Sequence, residues 1–250
     1  PATLCVPASA TNAPGVVMLH GTGSARDEAG NGYKTAAPIL AAQYGVATIR
    51  IDFRGNGDSK AEYTDYTFKT AVEDAVAAAK YIGSQKSVNA DKLGVMGWSQ
   101  GGTDALLAAG QHPEIFKCVV TWAGAPDLSD MLSDADYAAA KKDGYFVMKF
   151  DWRTDLKVSL QWCEDVKNTD VLKVFKDGYK GPVLAIAGKN DTTVDPTWST
   201  KIVAASSNAA SATHFIDGMD HTFNVFSETD LHSLMNAITA TGTYFQTNLK

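Results

Sequence analysis

Short apolar runs alternate with longer helical patterns along almost the whole chain of 250 residues. Most of these runs lack polar alternation, which is typical of strands that helices cover on both faces. Strand followed by helix, repeated, predicts an α/β fold with a mostly parallel central sheet flanked by helices. The predicted strands are 15–19, 46–52, 92–97, 117–123, 182–188 and 212–216, and the predicted helices are 33–44, 68–82, 101–112 and 227–247.

One segment interrupts this rhythm. Between Pro126 and Gly181 the repeat of strand and helix predicts another strand. This segment instead contains many charged and aromatic residues. A loop of this length rarely lacks secondary structure in a compact domain. We therefore predict a helical cap insertion at about 126–181, over one edge of the sheet. Residues 1–250 are otherwise predicted to form a single α/β domain, because no linker or internal repeat divides them.

The charge balance narrows the class of partner. With 22 Lys and Arg against 28 Asp and Glu, the net charge is −6, whereas nucleic acids and anionic membrane surfaces call for clustered positive charge. No run of about 20 apolar residues predicts a membrane span. We therefore expect a small-molecule partner. The sequence leaves open the oligomeric state and whether this soluble chain is cytoplasmic or secreted, since residues could be missing before Pro1.

A serine between glycines follows the predicted strand 92–97 and opens a helix. The sequence Gly97-Trp98-Ser99-Gln100-Gly101 is a G-x-S-x-G pattern in the context that forms a nucleophile elbow, a sharp turn that raises the serine hydroxyl above the sheet. The pattern alone also arises by chance. Strand before and helix after favour the elbow, so Ser99 is predicted to be a nucleophile.

An elbow serine is a poor nucleophile unless a histidine accepts its proton. In this arrangement the chain order is serine, acid, histidine, so the base must lie late in the sequence. His221 lies just beyond the last predicted strand, at the sheet edge where α/β chemistry gathers. His214 lies within that strand, where a structural role is expected. His221 is therefore the predicted base, with His214 as the alternative.

The acid that orients this histidine is expected after strand 182–188. Asp191 lies three residues past the strand, within reach of the same edge. Asp195 precedes Pro196 and is a candidate cap of the following helix. Asp220 is a weaker candidate, because neighbouring side chains in an extended loop diverge. Asp191 is the predicted acid.

The loop HGTGS, residues 20–24, follows the first predicted strand. Its Thr22 N–H is predicted to pair with the N–H of Gln100 as the two donors of an oxyanion hole. A glycine turn that merely ends a strand is the alternative. His20 is expected to organise the loop rather than act as the base.

A second loop, DFRGNGDS at 52–59, is predicted to be a structural brace beneath the site. Its Asp52, Arg54 and Asp58 are expected to form an ion-pair network, and its spacing is not that of a phosphate-binding loop.

These motifs together resemble a known superfamily. The segments HGTG, DFRGNGDS, GWSQGG, GKNDTTV and DHTF occur in the order and spacing of the α/β-hydrolases, and the chain resembles their cinnamoyl (feruloyl) esterase branch over nearly its whole length. The resemblance implies oxyanion donors at Thr22 and Gln100, a nucleophile at Ser99, and an insertion between the sixth and seventh strands of the sheet. The chain differs at Trp98, where the branch commonly has histidine, and in the sequence of the insertion.

The prediction is a serine carboxylesterase that hydrolyses small aryl or short-chain esters through an acyl-enzyme, without a metal or organic cofactor. The alternatives are a cutinase-like polyester or lipid hydrolase and, from another class, a non-catalytic ligand-binding protein on a hydrolase scaffold. Such binders typically lack a triad member, and peptidases of the superfamily usually carry a large extra domain. Aromatic side chains are expected to form an apolar wall of the substrate pocket. The predicted pocket residues are Trp98, Tyr145, Phe146, Trp152, Trp162 and Trp198.

Overall fold

Six of the seven strands of the central sheet run parallel to one another. In the computed structural model, which describes residues 1–250, the strands are β1 (Ala2–Cys5), β2 (Ala13–Leu19), β3 (Ala47–Ile51), β4 (Val88–Trp98), β5 (Phe116–Trp122), β6 (Tyr145–Met148), β7 (Leu156–Ser159), β8 (Val183–Gly188) and β9 (Ala212–Ile216). The helices are α1 (Gly32–Tyr44), α2 (Phe68–Gly83), α3 (Gln100–Gln111), α4 (Asp134–Asp143), α5 (Leu160–Asn168), α6 (Val171–Gly178), α7 (Thr197–Ala205) and α8 (His232–Asn248). The sheet order is β1-β3-β2-β4-β5-β8-β9, with β1 antiparallel.

Helices cover both faces of this sheet. On one face, α1 and α8 bury Leu40 and Phe245 against the strands. On the other, α2, α3 and α6 bury Val72, Leu106 and Phe175. Burial on both faces explains the near-continuous apolar runs, since every residue of β3 and β8 is buried. The predicted sheet flanked by helices is confirmed, and all six predicted strands are present.

The segment after β5 differs from the predicted helical cap in two ways. Between α4 and α5 the chain forms an antiparallel hairpin, β6–β7, in which Tyr145 pairs with Ser159. Its last helix, α6, packs against α3, and a Cβ on Gly178 would lie only 1.8 Å from the carbonyl oxygen of Gly110. Helix α6 therefore belongs to the layer that covers the sheet. The remaining segment, 129–168, is what we call the cap.

The cap shares its apolar core with the sheet domain. Phe146 and Trp162 are 3% and 1% exposed and lie in the same cluster of buried side chains as α2 and α3. Asp165 of the cap accepts a hydrogen bond from the N–H of Phe68 at 3.0 Å. The cap is thus packed onto the domain as a continuation of its core.

Candidate active site

Ser99 lies in a strained turn between β4 and α3. Its backbone has φ 56° and ψ −122°, a combination that residues with a side chain rarely adopt and that costs about 1–3 kcal/mol. The surrounding backbone fixes this turn. The N–H of Ser99 donates to Trp122 O at 2.9 Å, and its carbonyl accepts from Gly102 and Ala125 at 2.8 and 3.1 Å.

The two glycines of the motif allow the turn to form. A Cβ on Gly97 would lie 1.8 Å from the carbonyl oxygen of Gly101, and a Cβ on Gly101 would lie 2.2 Å from that of Leu19. Any side chain at either position would push α3 away from the ends of β4 and β2. The strained serine turn expected from the sequence is therefore present.

Asp191 and His221 form a close pair. Nδ1 of His221 lies 2.8 Å from Oδ2 of Asp191, whose side chain is 0% exposed. The other carboxylate oxygen accepts the backbone N–H groups of Thr193 and Val194 at 2.8 and 2.9 Å. A carboxylate held in this way fixes the imidazole with its proton on Nδ1, which leaves Nε2 free to accept a proton.

The two alternative acids have other partners. Oδ1 of Asp195 accepts the N–H of Thr197 at 2.8 Å, at the start of α7. Oδ1 of Asp220 accepts the N–H groups of Thr222 and Asn224 at 2.8 and 3.0 Å. Asp195 thus accepts the first N–H of α7 from the turn before it, although the N-cap position is Pro196, and Asp220 shapes the turn that carries the histidine.

Two other histidines make structural contacts. Nε2 of His214 lies 2.7 Å from Oδ1 of Asn236 on α8. His20 is 1% exposed; its Nδ1 lies 2.8 Å from Gly21 O, and its Nε2 accepts the N–H of Phe53 at 3.2 Å. Burial lowers the pKa of His20 to about 4. A neutral His20 therefore organises the loop after β2.

Trp98 connects the serine turn to the histidine loop. Its Nε1–H donates to the backbone carbonyl of His221 at 3.1 Å. The hydroxyl of Ser99 makes no hydrogen bond to the imidazole of His221. Trp98 is only 2% exposed and packs edge-on against Trp122 and Phe223. The expected pocket role of Trp98 is wrong, because its side chain is enclosed in the core beneath the site.

Thr22 and Gln100 lie side by side at the start of α3. The hydroxyl of Thr22 donates to Oε1 of Gln100. The Gln100 N–H is the first of a helix, where helical geometry supplies no partner. The N–H of Thr22 donates to no group of the chain. Two free N–H groups beside the turn of Ser99 are what stabilisation of an oxyanion requires.

Two charged residues that the sequence analysis did not single out contact the loop of Thr22. Oε1 of Glu28 accepts the N–H of Gly21. Burial raises the pKa of Glu28, whereas the hydrogen bond that it accepts from the Gly21 N–H lowers this pKa. From the cap, Arg153 donates through Nη1 to the carbonyl of Gly23. No motif in the sequence marks these residues, since each is recognisable only through its contact with a glycine of the loop.

The brace at 52–59 is paired differently from the prediction. Arg26 contacts both Asp52 and Asp58, the latter at 2.7 Å. Arg54 instead turns toward α2 and pairs with Asp74 at 3.1 Å. The two aspartates are thus bridged by an arginine of the preceding loop, and Arg54 is not part of their network.

The predicted aromatic wall is only partly available to a ligand. Phe146 and Trp162 are buried within the cap, so their expected contact with substrate is wrong. Tyr145 is half-buried with the ammonium of Lys157 over its ring at 4.6 Å. Trp152 is 65% exposed at the tip of the β6–β7 hairpin.

Trp198 lines a cleft of about 630 Å³ together with Leu128 and the α5–α6 junction, residues 166–172. This cleft follows the ends of β5 and β8. A second cavity of about 740 Å³ lies at the far edge of the sheet, between β9 and α8. Neither is lined by the Ser99, Asp191 or His221 side chains.

The structure contains no group of three or more His, Cys, Asp or Glu side chains arranged to hold a metal ion. None of its helices combines the length and apolar character needed to cross a membrane. The groups that the site brings together are a hydroxyl, an imidazole paired with a carboxylate, and free backbone amides.

Comparison with known proteins identifies a family. The profile of the prolyl oligopeptidase family matches residues 32–227. A dipeptidyl aminopeptidase, BIII of Pseudoxanthomonas mexicana, is 28% identical over 77% of this chain, which spans 27% of that relative's length.

Two solved structures share the fold of this chain. Est1E from Butyrivibrio proteoclasticus with ferulic acid bound has a TM-score of 0.78 at 21% identity, over 100% of this chain and 95% of that one. The monoacylglycerol lipase of Paleococcus ferrophilus has a TM-score of 0.75 at 16% identity, over 99% of this chain and 98% of that one. At these identities the likeness establishes the α/β-hydrolase fold.

Proposed function

Because this chain belongs to the prolyl oligopeptidase family and is therefore a hydrolase with the α/β-hydrolase fold, we propose that it is a serine carboxylesterase acting on small aryl or short-chain esters. The observation that carries the proposal is the buried carboxylate of Asp191, 2.8 Å from the imidazole of His221 and beside the strained turn of Ser99. Strain of this kind persists only where the surrounding structure enforces it, and it is concentrated at functional sites.

In the first half of the proposed reaction, the Ser99 oxygen attacks the ester carbonyl and Nε2 of His221 takes the hydroxyl proton. The N–H groups of Thr22 and Gln100 donate to the oxygen that becomes negative. Asp191 stabilises the imidazolium that forms, because its charge is buried and cannot be screened by water. The alcohol then leaves with the proton from His221.

In the second half, His221 takes a proton from water, which attacks the acyl-enzyme at the same carbonyl carbon. The same two amides stabilise the second tetrahedral intermediate. Ser99 then leaves with the proton, and the carboxylic acid is released. The cycle consumes one water and needs no group beyond the side chains and amides named.

The preference for small aryl or short acyl groups is supported by the likeness to Est1E from Butyrivibrio proteoclasticus, whose solved structure has ferulic acid bound. The cleft of Trp198 and Leu128 is not lined by Ser99, Asp191 or His221, so its volume carries no argument about the size of the acyl group. Long-chain lipids are expected to be poor substrates.

A peptidase is the second candidate, favoured by the family match and by the similarity to a dipeptidyl aminopeptidase. The same residues would serve it, since acyl transfer from an amide uses the same nucleophile, base and oxyanion donors. The two functions differ in the leaving group and in the recognition of the acyl part.

The decisive experiment is a panel of substrates with the parent and Ser99→Ala. We expect turnover of methyl ferulate and short nitrophenyl esters, weak turnover of long-chain nitrophenyl esters, and little turnover of dipeptide nitroanilides. Ser99→Ala is expected to lower kcat by about 10⁴-fold or more while the protein stays folded. Ser84→Ala, at an exposed serine at the end of α2, is the matched control and is expected to retain the parent's kcat.

The outcomes separate the candidates. Faster turnover of the nitroanilides would favour the peptidase, and preference for long chains or polyester would favour the cutinase-like enzyme. If the protein turns over no substrate in the panel and a fluorophosphonate does not label Ser99, the non-catalytic binder would be favoured.

A further inference from the structure

The peptide group between Gly21 and Thr22 carries the candidate oxyanion donor. Its carbonyl oxygen accepts the N–H of Ser24 at 3.1 Å and lies 2.8 Å from Nδ1 of His20. Because a peptide group is planar and trans, fixing the carbonyl also fixes the direction in which the Thr22 N–H points. The orientation of the donor therefore depends on how firmly this turn is held.

Glu28 closes the turn from within the same loop. Its Oε1 accepts the N–H of Gly21, and its Oε2 accepts the hydroxyl of Ser24 and the N–H of Ala29, both at 2.7 Å. A Cβ built on Gly21 would lie 3.2 Å from both Glu28 Oε1 and the Cβ of Ser99. The carboxylate thus lies within the site, although it is on neither the nucleophile nor the base.

The backbone at Glu28 is itself strained. Its φ is 62°, in the left-handed region where a side chain costs free energy. The hydrogen bond from the next N–H, that of Ala29, ties the carboxylate to this conformation. Strain that the side chain itself stabilises is a sign that the loop needs this residue for its shape.

The donors around Glu28 match the two acceptor oxygens of a carboxylate, although burial raises its pKa. Three donors face it from its own loop, namely two backbone N–H groups and the Ser24 hydroxyl. The charged or titratable groups that interact with it from other elements are His221 and Tyr33. A carboxylate accepts on both oxygens, whereas an amide has one acceptor and would turn its NH₂ toward a donor.

Arg153 holds the other side of the turn from the cap. Its Nη1 donates to the carbonyl of Gly23, and its Nε donates to the carbonyl of Thr154 at 3.1 Å. Gly23 has φ 65°, and a Cβ there would lie 3.2 Å from the Arg153 side chain. The tip of the cap hairpin is thereby connected directly to the residue after Thr22.

We propose that Glu28 and Arg153 are positioning residues that hold the Thr22 N–H in the direction an oxyanion needs, Glu28 from within the loop and Arg153 from the cap. The proposal rests on the proposed function, because it gives these residues a part in the same reaction. It also gives the cap a part in the chemical step, in addition to selectivity.

The test measures the second-order rate at which a fluorophosphonate labels Ser99. In that reaction the serine oxygen bonds to phosphorus, fluoride leaves, the hydroxyl proton passes to His221, and the phosphoryl oxygen uses the oxyanion donors. The rate does not depend on which ester is the true substrate. Glu28→Gln and Arg153→Met are expected to label about 10- to 100-fold more slowly than the parent, less than the loss of a whole donor.

Steady-state kinetics with a short nitrophenyl ester supply a second readout. Both variants are expected to lose kcat with KM within about twofold of the parent, since the donor acts on the transition state. Glu73→Gln and Arg54→Met, in the ion pairs of α2, are the matched controls and are expected to keep the parental labelling rate.

The outcomes keep this proposal separate from the proposed function. If the fluorophosphonate does not label Ser99 in the parent, the proposed function itself is wrong. A parent that labels normally, with folded variants that label equally fast, would overturn the positioning role. Should Glu28→Gln melt below the assay temperature, Arg153→Met decides alone, because its side chain lies at the cap tip.

Discussion

Two aspartates four positions apart, Asp191 and Asp195, differ in role because of where β8 ends. Asp191 is buried three residues past Gly188 and faces His221, whereas Asp195 is exposed and lies two residues before the start of α7. Distance from the strand end predicts this difference in contacts, because strand ends in a parallel sheet share one edge. The catalytic roles of Asp191, His221 and Ser99 stay predictions.

Substitution of these two aspartates tests the assignment of the acid. Asp191→Asn is expected to lower kcat by about 10⁴-fold, since an amide on Nδ1 favours the wrong imidazole tautomer. Asp195→Asn is expected to change kcat by less than threefold, since the amide oxygen of asparagine can still accept the N–H of Thr197. Steady-state kinetics on a short nitrophenyl ester measure both. The reverse order of effects would make Asp195 the acid.

Residues whose role is to hold the loops were not accessible to the same reasoning. The sequence suggested an ion-pair network at 52–59, but the cation that bridges Asp52 and Asp58 is Arg26, from a different loop. Arg153 reaches Gly23 across 130 positions of the chain. Such pairings depend on which loops the sheet brings together, and no local pattern records them.

At the scale of elements, the parallel strands of the central sheet were predictable from the sequence, and the short antiparallel strands were not. The six parallel strands are visible in the sequence as apolar runs. Strand β1 is a four-residue antiparallel edge strand without a buried residue, and the cap hairpin has strands of four residues each. A strand of four residues has too few positions for a clear alternation of apolar and polar side chains.

The cap hairpin offers the sharpest test at this scale. Its tip, residues 149–155, carries Trp152 and Arg153, while the strands below it are packed into the shared core. Removing the whole cap would expose that core. Replacing only the tip by Asn-Gly, a pair that suits a two-residue hairpin turn, should keep the fold because Met148 and Leu156 already pair.

The variant with the shortened hairpin is expected to have a kcat as low as that of Arg153→Met, because both lack the Arg153 side chain. It is also expected to raise KM for methyl ferulate, because the aromatic side chains of the tip are lost with it. A melting temperature near the parent's establishes the fold, and kcat and KM are measured for methyl ferulate and nitrophenyl acetate. Parental kinetics on both esters would show that the tip takes part in neither the chemistry nor binding.

For the whole molecule, two buried titratable groups beneath the site connect stability to pH in opposite directions. Burial lowers the pKa of His20 to about 4, so the unfolded state binds more protons between about 4 and 6.5, and the free energy of unfolding rises with pH in that window. Burial raises the pKa of Asp104 to about 8, against an opposing hydrogen bond from Tyr66. The folded state then binds more protons between about 4 and 8, and its stability falls as pH rises.

Of these two groups, only Asp104 changes its protonation between pH 6.5 and 8.5, so Asp104→Asn tests how the stability of the molecule depends on pH in this range. Asparagine keeps the shape and can accept from Tyr66, but it has no charge to bury. Relative to the parent, the unfolding free energy of this variant is expected to gain about 1 kcal/mol or more as pH rises from 6.5 to 8.5. Urea denaturation at the two pH values measures it, with Asp91→Asn at an exposed position of β4 as control. A constant difference between variant and parent would mean that folding does not raise the pKa of Asp104 into this range, and the alkaline loss of stability would have to come from another group.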